Sequence, residues 1–162
     1  MARALIVGCG CRGRALATRL AADGWAVRGT SRDRGRADAV EAAGIEAAVA
    51  DPERPGTVLD LIADVAVVHW LLGSLGCDPD VEEAIHGPRL ERLLEKLVDS
   101  PVRGFVYEGA GRVAPENLER GAGLVRAAAE TWRIPVEIVA VDPGDHEAWL
   151  GAMIAASQRL IT

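Results

Sequence analysis

Gly8-Cys9-Gly10-Cys11-Arg12-Gly13 stands between an apolar run and a helical pattern, and that placement constrains the fold more than any other feature of the chain. The run before it, Leu5-Ile6-Val7, reads as a short buried strand. The pattern after it, over residues 12–23, puts Ala15, Leu16, Leu20 and Ala21 on one face and stops at Asp23-Gly24. In a strand–turn–helix of this kind the first glycine permits the tight turn. The second lets a bound group come close to the backbone, and the third lets helix pack on strand.

The same alternation continues along the chain. Residues 25–30 predict a second strand, 34–43 an arginine-rich helix ended by Gly44, and 45–50 a third strand stopped by Asp51-Pro52. A short helix over 57–63 leads to Val65-Ala66-Val67-Val68, a fourth strand with no polar residue and so buried on both faces. Residues 71–87 read as a long loop holding Asp78, Asp80, Glu82 and Glu83, either a lid or a solvated charge run. From Pro88 onward Leu90, Leu93, Leu94, Leu97 and Val98 form one helical stripe, stopped by Ser100-Pro101. A fifth strand (102–107), a helix from about Pro115 to Trp132 and a sixth strand (136–141) follow. Asp145 is the expected N-cap of the last helix. Six strand–helix alternations with short connections predict a single α/β doubly wound domain filling residues 1–162, of the Rossmann type: about six parallel strands with helices on both faces.

Composition agrees. Hydrophobic residues make up 49% and charged residues 26% of 162, enough for a real core. No stretch is long and apolar enough to span a membrane, and residues 1–8 do not read as a signal peptide. The three cysteines, Cys9, Cys11 and Cys77, cannot all pair, so the expected compartment is the cytoplasm. The net charge of −6 argues against a nucleic-acid partner. Residues 1–36, however, carry eight arginines against Asp23 and Asp33, a net +6, which leaves −12 for the rest. A positive N-terminal third on an acidic protein points to a local anionic ligand.

The glycine turn, opening a helix whose first N–H groups are free, offers a site for a diphosphate. The end of the second strand then bears on which dinucleotide would bind. A site for NAD places a carboxylate there for the ribose hydroxyls. Here stand Thr30, Ser31 and Arg32, with Arg34 and Arg36 beyond. Hydroxyls and a guanidinium fork suit a 2′-phosphate, so the expected cofactor is NADP(H) in preference to NAD. Asp33, one register away, is the competing ribose acceptor.

These stretches resemble the short-chain dehydrogenase/reductase superfamily, in particular its extended and atypical NAD(P)-dependent epimerase/dehydratase-like branch. The likeness rests on the glycine motif at 8–13, Gly29-Thr30-Ser31-Arg32, Asp64-Val65-Ala66-Val67-Val68-His69, and Val102-Arg103-Gly104-Phe105-Val106-Tyr107 followed by Leu124 to Glu130 and Ile134-Pro135-Val136. It implies that Asp51 lies near the adenine, and that His69, Trp70 and Leu71 line the nicotinamide half of the groove. It also implies a homodimer through the helices flanking the fifth strand, here carrying Leu90, Leu93, Leu94 and Leu97, and Leu118, Val125 and Trp132. Part of this stripe also covers the sheet as core, and the last helix is the other candidate dimer face. The chain departs from the family where its Tyr-x-x-x-Lys would fall, at Ala114 and Leu118. Its sole tyrosine, Tyr107, sits in the fifth strand, and its sole lysine, Lys96, precedes it. Glu108-Gly109 replaces the family's serine, and no counterpart of the family's C-terminal substrate lobe is expected within residues 1–162.

Remaining candidates for acid–base chemistry are His69 and Glu108, each also readable as structural. The thiols of Cys9 and Cys11 sit where a helix N-terminus favours the thiolate. No metal site is expected, because a second pair of ligands is lacking. His86 and His146 read as surface residues, and Trp25, Trp132 and Trp149 as packing, with Trp70 the indole at the cofactor edge. Two functions follow: a non-catalytic or weakly catalytic NADP(H)-binding protein, and alternatively a small NADPH-dependent oxidoreductase acting on a small molecule through His69 or Glu108. A regulatory dinucleotide domain of the ion-transporter type fits less well, since it keeps an acidic residue after the second strand.

Overall fold

A computed structural model describes residues 1–162. Six parallel strands form one sheet: β1 (Arg3–Val7), β2 (Ala26–Ser31), β3 (Glu46–Val49), β4 (Val67–Trp70), β5 (Gly104–Glu108) and β6 (Val136–Val139). Their order across the sheet is β3-β2-β1-β4-β5-β6, so the direction of winding reverses between β1 and β4. This is the doubly wound Rossmann order, and its crevice for ligands opens over that reversal.

Seven helices connect them: α1 (Cys11–Ala22), α2 (Arg34–Ala42), α3 (Pro55–Leu59), α4 (Pro79–Ile85), α5 (Pro88–Leu97), α6 (Pro115–Trp132) and α7 (His146–Arg159). Side chains alternate across the strands and build a core on each face. Leu5, Val7, Val68, Trp70, Phe105 and Tyr107 pack with the leucines of α5 and with α6. Ala4, Ile6, Val67, Val106 and Val139 pack with α1 and α7.

The structure departs from the expected elements in several places: α3 covers Pro55–Leu59 rather than 57–63, and β5 covers Gly104–Glu108 rather than 102–107. β4 begins at Val67 and runs through Trp70, two residues beyond the run 65–68. Residues 71–87 are not one loop, since 79–85 form α4. That helix starts as its sequence permits: Asp78 accepts from the Asp80 N–H at 2.9 Å, Pro79 takes the first position, and Asp80 and Glu82 complement the positive helix end. β6 stops at Val139 rather than at residue 141.

The leucine stripe of α5 is core. Leu90, Leu93, Leu94 and Leu97 are buried in the cluster under the sheet, as is Val125 of α6, and Leu118 is buried as well, so these side chains belong to the core of the single chain. Trp132, at the end of α6, is 37% exposed. His86 is fully buried, against expectation, while His146 is exposed. His86 Nε2 donates to Leu72 O at 2.9 Å, which leaves Nδ1 to accept from the Tyr107 hydroxyl at 2.7 Å. No helix is long and apolar enough to cross a membrane.

Candidate functional site

The glycine turn is built by three different steric demands. Gly8 has φ +87°, and a Cβ there would fall 2.6 Å from Leu71 O. A Cβ on Gly13 would press on Gly8 O at 3.1 Å and on Ile6, so its absence seats α1 against β1. Gly10 differs from both: a Cβ there would meet nothing within 4 Å. The backbone at Gly10 therefore borders open space, which is the room a bound group would fill. No side chain caps the N-terminus of α1 and no acidic residue occupies its first turn, so its positive end faces that space uncompensated.

A cleft of about 490 Å³ runs across the carboxyl ends of the strands at this point. Of the residues expected there, Gly8, Cys9, Gly10, Cys11, Arg12, Gly13, Thr30, Ser31, Arg32, Leu71 and Glu108 line it. Arg14, Arg36, Pro52, Leu72, Ser74, Leu75 and Trp149 do so as well. Pro52, Leu72, Ser74 and Leu75 had no motif to mark them, because they belong to loops that fold over the crevice.

Three expected residues do not line the cleft. His69 and Trp70 lie inside β4, paired in register with Ile6 and Val7 on one side and with Val106 and Tyr107 on the other. Strand alternation then turns their side chains into the two cores, and Leu71 is the first residue to reach the crevice. His69 is fully buried, with Nδ1 3.3 Å from Leu5 O and Nε2 2.7 Å from Ser157 Oγ, and burial pushes its pKa down to about 4. It is a neutral, structural imidazole. Trp70 packs on Phe105, and its indole N–H is buried without a partner. Asp51 is withdrawn for another reason: its Oδ1 accepts from the Glu53 N–H at 2.9 Å, holding the turn into α3. Its neighbours Ala50 and Pro52 form the wall instead.

The two cysteines of the turn also separate. Cys9 is buried, with its sulfur over Gly29, where a Cβ would come within 2.6 Å of it. Burial pushes the Cys9 thiol up to about 11, the reverse of the activation expected at a helix N-terminus. Cys11 is exposed and accepts from Arg14 Nη2 at 3.2 Å.

One end of the cleft is cationic. Arg12, Arg14, Arg32 and Arg36 all line the cleft, and its wall at Ala39, Ala50 and Pro52 holds no carboxylate. Ser31 Oγ and Arg32 Nε and Nη2 are buried and have no hydrogen-bond partner. Orphaned polar atoms of this kind cost about 1–3 kcal/mol each unless a ligand completes them. Asp33 is not free to compete, since its carboxylate caps α2 by accepting from the Arg36 N–H at 2.8 Å and faces the Arg36 guanidinium at 3.6 Å.

The other end holds one buried carboxyl. Glu108 closes β5 and is 2% exposed. Its Oε1 accepts from the Gly73 N–H at 2.8 Å and its Oε2 from Trp149 Nε1 at 2.9 Å. Burial raises its pKa above the usual carboxylate range, against the pull of the Gly73 N–H, Arg12 and the Trp149 indole. Trp149, rather than Trp70, is thus the indole at the cleft. Neither Tyr107 nor Lys96 reaches it: the Tyr107 hydroxyl is buried against Gly121 and His86, and Lys96 is exposed on α5.

Fold and cleft together define a doubly wound α/β domain of the Rossmann type, with its crevice over the glycine turn. By sequence, no family model and no curated protein matches the chain. By structure it is similar to BdcA from E. coli, at 20% identity over 95% of this chain and 88% of that one, with a TM-score of 0.73. It is also similar to a UDP-glucuronic acid 4-epimerase from Bacillus cereus in complex with NAD, at 17% identity and a TM-score of 0.68, covering 85% of this chain and 55% of the epimerase. A short-chain dehydrogenase from Streptomyces avermitilis matches at 19% identity and a TM-score of 0.63, over 87% and 64% of the two chains. At these identities the shared property is the fold, that of the NAD-dependent epimerases and short-chain dehydrogenases. The chain spans about half the length of the epimerase.

Proposed function

We propose that the chain is an NADP(H)-binding protein that prefers NADP(H) to NAD and is non-catalytic or weakly catalytic. The observation that carries the preference is the set of orphaned donors at the cationic end of the cleft, Ser31 Oγ with Arg32 Nε and Nη2. A 2′-phosphate has the charge and the acceptor oxygens to satisfy all three, and a bare ribose hydroxyl does not. Gly10 and the uncapped start of α1 would hold the diphosphate. Leu71, Leu72 and Glu108 would border the nicotinamide half, since a dinucleotide lies across the crevice from one half of the sheet to the other.

When bound, the dinucleotide supplies hydride chemistry. Such chemistry needs a proton donor or acceptor beside it. The buried phenol of Tyr107 and the distant Lys96 do not provide one, nor does His69 in the core, and this supports the non-catalytic reading. The alternative, a small NADPH-dependent oxidoreductase, is left with Glu108 as its candidate acid or base, because that carboxyl borders the cleft. Calorimetric titration with NADPH and NADH, side by side, tests the proposal with Arg32→Glu as the control. Tight NADPH binding that the variant loses is the expected result. Binding of neither nucleotide, or equal binding of both, sinks it.

A further inference from the structure

The cleft is polarised along its length. Arg32 and Arg36 stand beyond the glycine turn, while the opposite end holds the buried carboxyl of Glu108, with Arg12 between them near enough for its charge to act on that carboxyl. Both Glu108 oxygens face N–H donors, from Gly73 and Trp149, and neither makes a hydrogen bond to an acceptor. A protonated carboxyl would have to point its own hydrogen at an acceptor, so this arrangement fits the ionised form. Glu108 forms no ion pair, in contrast to Glu46 and Asp64, which each bind two arginines at the amino ends of the strands. A carboxylate taken out of water without a cation is costly. Its charge is answered by the two N–H dipoles, by the field of Arg12, which makes no ion pair with it, and by the cleft itself.

We propose that the cleft discriminates between the redox states of its dinucleotide, holding the oxidised form more tightly than the reduced form through Glu108. The inference rests on the dinucleotide reading above. The two forms share every phosphate and both riboses. They differ in the nicotinamide ring, which is a cationic pyridinium when oxidised and neutral when reduced. A ligand that is anionic at one end and cationic at the other matches the charge order of this cleft. At an effective dielectric of ~20, two opposite unit charges several ångströms apart interact strongly enough to give a tenfold or larger difference in affinity. A protein with this bias and no acid–base pair would report the oxidation state of the pool rather than change it.

Calorimetry with NADP⁺, NADPH and 2′,5′-ADP separates the claims, because 2′,5′-ADP carries the phosphate contacts without the nicotinamide. The wild-type protein is expected to bind NADP⁺ about tenfold or more tighter than NADPH. In Glu108→Gln, and in the smaller Glu108→Ser, that ratio is expected to fall to within about twofold. Binding of 2′,5′-ADP reports that the phosphate end has folded in each variant. Equal wild-type affinities, tighter NADPH, or a ratio that survives in both variants overturns the redox preference while leaving the dinucleotide reading standing. Binding of none of the three ligands overturns both. The wild-type ratio decides by itself should neither variant fold.

Discussion

The indole N–H of Trp149 donates to Oε2 of Glu108 at 2.9 Å, joining the first turns of α7 to the end of β5. Both residues are almost wholly buried, and both line the cleft. The bond therefore does two things: it satisfies a buried acceptor, and it fixes the wall where the crevice ends. Trp149→Phe keeps most of the ring and removes the donor. It is expected to cost about 1–3 kcal/mol in urea unfolding and to raise the Glu108 pKa further, because a donor to the ionised form is lost. An unchanged unfolding midpoint would show that Oε2 needs no partner there.

Acid stability follows from His69. Its folded pKa of about 4 lies below the ordinary value of 6.5, because a fully buried imidazole resists charging. The unfolded chain thus binds more protons than the folded one between those values. The contribution of a neutral His69 is fully present above pH ~6.5 and is lost as the pH falls through that window, by about 3 kcal/mol in all. Burial acts on His86 in the same direction. Glu108 acts oppositely, since a carboxyl raised in the fold stabilises below its unfolded pKa and loses that contribution as pH rises. Urea midpoints measured across the window are expected to fall with pH, and His69→Leu is expected to flatten the slope. A variant with the wild-type slope would remove His69 from the account.

The alternation of elements, the six strands and the glycine turn were legible because each rests on a local signal. The contents of the cleft were legible only where residues leave a strand in a register that can be read. Ser31 ends β2 and Arg32 follows it directly, where their run stops. His69 and Trp70 belong to the apolar run before them, and the short β-branched stretch at 65–68 hid that β4 continues to Trp70. The exchange of Trp70 for Trp149 follows from this, because no local pattern shows which turn of a late helix comes to rest beside β5. α4 carried its own N-cap and proline, Asp78-Pro79, but these were masked by the glycines and acids around them. His86 looked like a surface residue because its partners, Tyr107 and the Leu72 carbonyl, are distant in sequence.

Cysteine reactivity should divide within the glycine turn. Cys9 is buried with its thiol pushed up to about 11, while Cys11 is exposed. Since the thiolate is the reactive species, iodoacetamide at neutral pH is expected to label Cys11 in the folded protein and Cys9 only after unfolding. Peptide mass spectrometry distinguishes the two. Equal labelling would mean that Cys9 is not packed over Gly29.

The Tyr107 hydroxyl occupies space that a side chain at Gly121 would need, and it is pinned there by His86. Gly121→Ala is expected to destabilise by about 1–3 kcal/mol through overpacking, although alanine favours a helix. Because the clash and the hydrogen bond share one phenol, Gly121→Ala and Tyr107→Phe are expected to be non-additive in a double-mutant cycle. Additive costs would separate the two sites.

Gly8 and Gly10 differ in what they demand, and the difference separates fold from function. Gly8 needs its positive φ, and a Cβ there would strike Leu71 O, so Gly8→Ala is expected to cost about 2–4 kcal/mol and to weaken binding only through damage to the fold. Gly10 has φ −84° and ψ −154°, which any residue adopts, and its Cβ would meet no protein atom. Alanine is a poorer N-cap than glycine, but it also restricts the unfolded chain, and the two effects offset to within about 1 kcal/mol. Gly10→Ala should therefore fold like the wild type. If the open space beside it receives a diphosphate, the added methyl group stands in the ligand's way, and NADPH affinity is expected to fall tenfold or more, about 1.4 kcal/mol. Thermal unfolding with and without NADPH measures both quantities in one series. A folded Gly10→Ala protein that binds as well as the wild type would show that nothing approaches the backbone at that turn.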